Sequence, residues 1–369
     1  MKEISTDILV IGGGAAGLSA AAEASASGCT VTVIESDLQL GGQLIKQTHK
    51  FFGSKEEYAG TRGFEIAKIL MDEIKECGDR VQIHTNTTVT GYYREDGLFT
   101  AMRGEESYFR IRAKRAIVAS GAQERIIPFP NNDLPGVYGA GAVQTLMNVY
   151  GVVPGKRVLM VGAGNIGLIV SYQLMQAGVD IAAVVEAMPK VGGYWVHAAK
   201  IRRMGVPILL QHSIKEALGE RGVEGAVIQE LDDRFCPTGV EKKIDCDTIC
   251  MAVGLTPTAE LLFQAGCEMQ YVPQLCGYVA KRDKTMRTSN PNFWAAGDVT
   301  GIEEASAAMV EGRIAGLCAA RDLGYAVNEA HFDDFWSRLD SLRAGEVGEK
   351  IRSGICQVCR DSWGAKCDD

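Results

Sequence analysis

Six glycines and two glutamates are the residues of this chain whose types and spacing could do chemistry, because they recur in one pattern. Gly12-x-Gly14-x-x-Gly17 follows the apolar run from Asp7 to Ile11; after a small-residue stretch and a second run from Thr30 to Ile34 comes Glu35. Gly162-x-Gly164-x-x-Gly167 follows Arg157 to Val161 in the same way, and Glu186 closes the run from Ile181 to Val185. Gly41-Gly42 trails the first acid and Gly192-Gly193 the second at the same spacing. One short glycine pattern is a weak signal, whereas two copies with strand, helix and acid in register are a strong one.

The chemistry that such a unit supports is the binding of a dinucleotide. The first glycine permits a tight turn, the second lets backbone approach a pyrophosphate, and the third lets helix and strand pack closely. The helix N-terminus offers free N–H groups and the positive end of its dipole to phosphate. An acid about 20 residues on accepts hydrogen bonds from a ribose diol. At Glu186 a carboxylate would also repel a ribose 2′-phosphate, which favours NAD(H) over its phosphorylated form.

The elements that must position these residues read as strand, turn, helix and strand, twice. Two more apolar runs end in glycine: Arg115 to Ser120 before Gly121, and Thr248 to Val253 before Gly254. Asn292 to Ala296 closes on Gly297-Asp298, and a small-residue helix is expected from Glu304 to Leu323. Asp298 is placed to hold flavin ribityl hydroxyls, and the positive end of that helix to face the reduced flavin's N1–C2=O edge. This company assigns the first unit to FAD and requires the second unit to be inserted into the first domain. Pro128, Pro130 and Pro135 mark a linker. Phe332, Phe335, Trp336, Leu339 and Leu342 form a helical apolar stripe, either docked on its own domain or open to a partner.

Composition narrows the field further. A length of 369 residues allows two or three domains, each with a sizeable core. With 46% hydrophobic and 23% charged residues, neither disorder nor a fibre is indicated. The net charge of −8 lacks the basic surface that a nucleic-acid partner requires. Eleven cysteines without a secretory leader point to a reducing, cytoplasmic setting. The apolar stretch from Ile8 to Ala26 is broken by glycines, so it is read as strand, turn and helix and not as a membrane span.

The series of first fingerprint, Glu35, Gly42, Ser120-Gly121, second fingerprint, Gly254 and Gly297-Asp298 resembles the pyridine nucleotide-disulfide oxidoreductase superfamily over about residues 4 to 325. The resemblance implies an α/β fold of two Rossmann-like three-layer domains, with an NAD-binding domain (125–285) inserted into an FAD-binding domain (1–124 and 286–330). A C-terminal helix and Cys-containing tail (331–369) would follow. It further implies that Ala16, Gln43, Val89 (through its backbone), Ala119 and Ala305 join the FAD site, and that Asn165 and Ile166 join Gly254 at the NAD site.

Departures from that pattern sharpen the expectation. The stretch from Gly41 to His49 has no cysteine, and neither does the region from Gly136 to Asn148, so the redox dithiols of the disulfide reductases are missing. Gly42-Gln43 with Lys46 to Gly53, and Ser120 to Arg125 followed by Leu134-Pro135-Gly136-Val137, resemble the alpha subunits of heteromeric sarcosine oxidase, dye-linked proline dehydrogenase and hydrogen cyanide synthase. That narrower resemblance implies that a second, amine-oxidising flavoprotein subunit is the partner, with a small ferredoxin-like subunit, and that the substrate is a small amine or amino acid. The alternatives are a stand-alone NADH-dependent flavin or ferredoxin reductase and a non-catalytic electron-conduit or scaffold subunit. Lys46 and His49 are the catalytic candidates; His49 and His197 each follow a Gly-Gly turn, and either could reach a flavin or nicotinamide edge as an acid or hydrogen-bond donor, with a purely structural role as the alternative. Cys356-x-x-Cys359 and Cys367 are candidate ligands for zinc or an iron–sulfur cluster, set against free thiols on a tail.

Overall fold

The computed structural model describes residues 2–51, 53–105 and 107–359, and the chain divides into two compact units. The first comprises residues 1–123 and 256–369, and the second residues 124–255.

The first unit begins with β1 (Lys2–Ile11), α1 (Ala15–Ala26), β2 (Val31–Ile34), α2 (Gly63–Glu76), β3 (Val81–His84), β4 (Thr87–Tyr93), β5 (Leu98–Arg103) and β6 (Ser107–Val118). Its sheet runs β3-β2-β1-β6-β5-β4, with β1, β2, β3 and β6 parallel and β4 to β6 an antiparallel meander. A parallel sheet covered on both faces needs unbroken apolar strands, and Ile8, Leu9, Val10 and Ile11 are all buried. Ile8 and Val10 enter one core cluster; Leu9 and Ile11 enter the other, as the alternation of a strand demands.

The second unit contains β7 (Val137–Gly139), α3 (Ala140–Asn148), β8 (Arg157–Val161), α4 (Asn165–Gln176), β9 (Asp180–Glu186), α5 (Trp195–Arg203) and β10 (Ile208–Leu210). Then come β11 (His212–Leu218), β12 (Gly225–Leu231), β13 (Pro237–Ile244) and β14 (Thr248–Met251). A five-stranded parallel sheet in the order β10-β9-β8-β14-β7 carries α3, α4 and α5 on one core. The antiparallel sheet β11-β12-β13 covers the other.

The chain then returns to the first unit through α6 (Glu260–Gln264), β15 (Met269–Val272), β16 (Gly277–Ala280), β17 (Phe293–Ala295), α7 (Ala305–Asp322), α8 (Glu329–Leu342) and α9 (Gly345–Cys356). β17 adds to β6 in parallel. Residues 256–285, assigned from the sequence to the inserted domain, pack in the first unit instead. Leu262, Ala265 and Ala280 are buried against Phe99, Ile111 and Phe293, and the Thr258 N–H donates to Gly121 O at 3.0 Å. The stripe on α8 docks on its own unit: Phe335 and Leu339 enter the core cluster of β1 and α1, and Trp336 Nε1 donates to Lys284 O at 2.9 Å. Among the described residues no helix is long and apolar enough to cross a membrane.

Candidate functional site

In the first unit the turn between β1 and α1 is a backbone cradle. Gly12 has φ +107°, and a Cβ there would collide with Ala119 O; a Cβ on Gly17 would collide with Gly12 O. Only glycine meets both constraints, the first for its left-handed backbone and the second for close packing of helix on strand. Gly14 is the N-cap of α1, which has no side-chain cap and no acid in its first turn. Its first N–H groups are thus left for another acceptor. The Gly41 N–H donates to Gly13 O at 2.8 Å and brings Gly42 against Gly14, where a Cβ on Gly42 would lie 2.9 Å from Gly14 Cα. Glu35, 6% exposed, accepts from Gly13 N–H at 2.6 Å and from Asp37 N–H at 2.7 Å. The carboxylate is fixed at the lip of the turn.

The second unit repeats this almost atom for atom. Gly162 has φ +108° and would meet Ala252 O with any side chain, and Gly167 would meet Gly162 O. Gly164 caps α4, again with no side-chain cap or first-turn acid. Glu186 accepts from Ala163 N–H at 2.7 Å and from Met188 N–H at 3.0 Å. Asn165 Oδ1 accepts from Tyr194 N–H at 2.7 Å and holds the following loop. Ile166 is 39% exposed. Gly254, at φ +108°, ends the run after β14 and accepts from Arg125 N–H at 3.0 Å.

The first cradle has a third wall that the glycine pattern does not encode. Gly297, at φ +78°, sits on α1: a Cβ there would lie 2.8 Å from Ala16 Cβ. Asp298 follows it, and burial together with the nearby Glu311 and Glu303 charges pushes its carboxyl up to about 7. A short 3₁₀ segment runs from Asp298 to Thr300, and Ala305 then opens α7. Ala119, at the end of β6, donates its N–H to Ile11 O at 2.8 Å, and Ser120 Oγ donates to Thr258 O at 2.7 Å. Val89 lies on β4, whose first residue, Thr87, donates its N–H to Glu35 O at 2.8 Å. Gln43 is exposed on the 3₁₀ turn that Gly42 opens and Lys46 ends. His49 stacks on Phe51, with ring centroids 5.9 Å apart. His197 lies on α5, where burial and Lys200 lower its pKa, so it is neutral at pH 7.

Sequence reasoning missed the charges beneath the Gly297 turn. Glu311 on α7 is 2% exposed; its Oε2 accepts from Gly297 N–H at 2.8 Å and Thr300 Oγ1 at 2.9 Å. Its Oε1 pairs with Arg343 at 2.7 Å and lies 3.6 Å from Arg282. Burial opposes ionisation of Glu311, but the two guanidiniums outweigh it and hold the carboxyl below its usual range. An acid in the middle of a helix rich in alanine and glycine was the available signal.

Among the described residues no group of three or more His, Cys, Asp or Glu side chains could hold a metal. The reading of Cys356 and Cys359 as metal ligands is therefore unsupported, and Cys367 lies outside the described residues. Cys246, Cys250 and Cys267 are buried core thiols, whereas Cys236 is exposed.

Comparison with known proteins places these features in a family. The chain is 29% identical over 336 residues to an opine oxidase subunit of Agrobacterium tumefaciens (strain Ach5), covering 86% of this chain and 66% of that protein. It is 27% identical to the HcnB subunit of hydrogen cyanide synthase from Pseudomonas protegens, covering 89% of this chain and 73% of that one. It is also 27% identical to the alpha subunit of sarcosine oxidase from Rhizobium meliloti (strain 1021), with 86% of this chain and 31% of that one covered. The chain thus spans about two thirds of the length of the opine oxidase subunits and a third of the sarcosine oxidase subunit. The fold is similar to that of L-proline dehydrogenase from P. horikoshii, at a TM-score of 0.70 and 24% identity, covering 90% of this chain and 58% of that one. The family model described as pyridine nucleotide-disulphide oxidoreductase matches residues 6–312, and the chain is an oxidoreductase belonging to that family.

Proposed function

We propose that this chain is the dinucleotide-binding flavoprotein subunit of a heteromeric amine or amino-acid dehydrogenase, with FAD in the first unit and NAD(H) in the second. The observation that carries the reading is the doubled pairing of an uncapped helix N-terminus with a carboxylate fixed one strand later. The donor set fits the group: N–H donors without side-chain acceptors face a space kept clear of Cβ atoms, as a pyrophosphate requires. Gly12, Gly14 and the first turn of α1 would hold the FAD pyrophosphate, Glu35 its ribose and Asp298 its ribityl chain. FAD, when bound, supplies the two-electron redox chemistry of such enzymes.

The chain's own groups orient and tune. Glu186 sits where a ribose 2′-phosphate would stand, and its carboxylate selects NADH against NADPH by repulsion. Asp298, poised near 7, can hold or release a proton beside the ribityl site near neutral pH. The absence of cysteine from Gly41 to His49 and from Gly136 to Asn148 argues against disulfide reduction through a dithiol. A partner subunit is supported by relatives that are themselves named as subunits; that the partner is a second flavoprotein is part of the proposal.

Expression of the chain alone and with its genomic neighbours, followed by visible spectroscopy and anaerobic NADH titration, tests this. The expected result is a yellow protein, bleached by NADH and not by NADPH, whose amine dehydrogenase activity requires a co-purifying second subunit. Robust turnover of NADH with artificial acceptors by the lone chain would replace it with the stand-alone reductase. A colourless protein that takes up no flavin would end it.

A further inference from the structure

The last two helices reach under the turn that carries Asp298. Arg343, the C-cap of α8, is 2% exposed and donates to both oxygens of Glu303 at 2.9 and 2.7 Å and to Glu311 Oε1 at 2.7 Å. Arg282, 3% exposed, is the second cation facing Glu311, and its backbone N–H donates to Val358 O at 3.1 Å beyond the end of α9. Arg343 is thus supplied by the helices that follow the dinucleotide-binding core, and the backbone of Arg282 is anchored to the residues after α9. Two buried cations balance two carboxylates, and the balanced cluster ends on Gly297 N–H and Thr300 Oγ1. A buried charge that loses a partner is disfavoured, so without Arg343 the Glu311 carboxylate would keep only Arg282, 3.6 Å away, as a counter-ion and would be held less firmly beneath the turn.

We propose that Arg343 is a positioning residue of the flavin site, through which the C-terminal helices hold the Glu311 carboxylate against the Gly297–Thr300 turn. This rests on the assignment of FAD to the first unit. The turn abuts Ala16 in the first helical turn of the phosphate cradle, so its slackening loosens the cradle and the ribityl site together. The segment after α7 is then part of the flavin-binding apparatus and not an appendage to it.

The test is FAD affinity of the apoprotein, by quenching of flavin fluorescence, with visible circular dichroism of the bound flavin as a local probe. Arg343→Met is expected to weaken FAD binding about tenfold or more and to alter the flavin dichroism, because a buried carboxylate loses the nearer of its two counter-ions. Arg343→Lys, which keeps the charge, is expected to recover most of both. Glu303→Gln serves where Arg343→Met does not fold; it removes the charge and one of the two oxygens that accept from Arg343 at a partly exposed partner, for a weakening of about threefold and an altered dichroism. FAD affinity within twofold of wild type and unchanged dichroism in Arg343→Met, or in Glu303→Gln in its place, overturns the proposal alone. A wild-type protein that takes up no FAD overturns it together with the flavin assignment.

Discussion

In the first unit Gly297 rests on Ala16, Gly312 and Gly316 of α7 press on the backbone of Ala16 and Ala20, and Glu35 is 6% exposed. In the second unit the residue at the place of Ala16 is Ile166, 39% exposed, and a Cβ on Gly164 would meet nothing within 4 Å. The two cradles share their turn, their uncapped helix and their carboxylate, so backbone chemistry alone does not separate them. What separates them is the wall that α7 and the Gly297 turn add to one and not to the other. An enclosed cradle suits a resident cofactor, and an open one suits a nucleotide that must come and go.

Several substitutions would break or sharpen that contrast. Gly17→Val drives a side chain into Gly12 O and is expected to abolish flavin binding, at a cost of about 3 kcal/mol, the upper end of the usual overpacking penalty. Gly167→Val should leave the protein yellow and abolish its response to NADH. Loss of flavin in both, measured by absorbance after desalting, would show that the two cradles are not independent. Ala16→Ile, which copies the second unit into the first, should destabilise by about 1–3 kcal/mol and lower the melting temperature by several degrees. Ile166→Ala should stay within about 0.5 kcal/mol in thermal melts. If the two exchanges cost the same, the enclosure argument fails.

Glu186→Gln is expected to weaken NADH binding about tenfold and to narrow the margin over NADPH, read from titrations of the reduced flavin signal. A separate expectation concerns pH. Asp298 titrates near 7 in the folded protein against an ordinary value of 3.8, so the folded state holds its proton more tightly. That contribution to stability is fully present below about pH 4 and is lost as pH rises through 7. The melting temperature of the apoprotein should therefore fall from pH 5 to pH 8, and Asp298→Asn should flatten that slope. An unchanged slope would remove Asp298 from the account.

The cradles were legible in the sequence because their chemistry dictates residue type at short range. A turn that must reach φ near +107° and a helix that must touch a carbonyl leave glycine as the residue, and the acid falls one strand later. The Gly297-Asp298 turn was legible for the same reason. Arg343 was not, because its partners lie 32 and 40 residues away and no local pattern links an arginine at a helix end to a carboxylate in another helix. The return of residues 256–285 to the first unit was equally hidden. Gly254 reads as one more strand-ending glycine, and the apolar residues that follow carry no mark of the core they join.

Gly312 and Gly316 have a consequence for biogenesis. They let α7 lie on α1, whose residues precede them by nearly 300 positions, and β17 completes the same sheet from the far end of the chain. The nascent first unit must therefore wait for most of the polypeptide to leave the ribosome, while residues 124–255 are contiguous and can pair as they emerge. We expect protease resistance to arise in arrested chains first across the inserted segment, with flavin capture deferred until α7 has been synthesised. Protection appearing first in residues 1–123 would reverse that order of events.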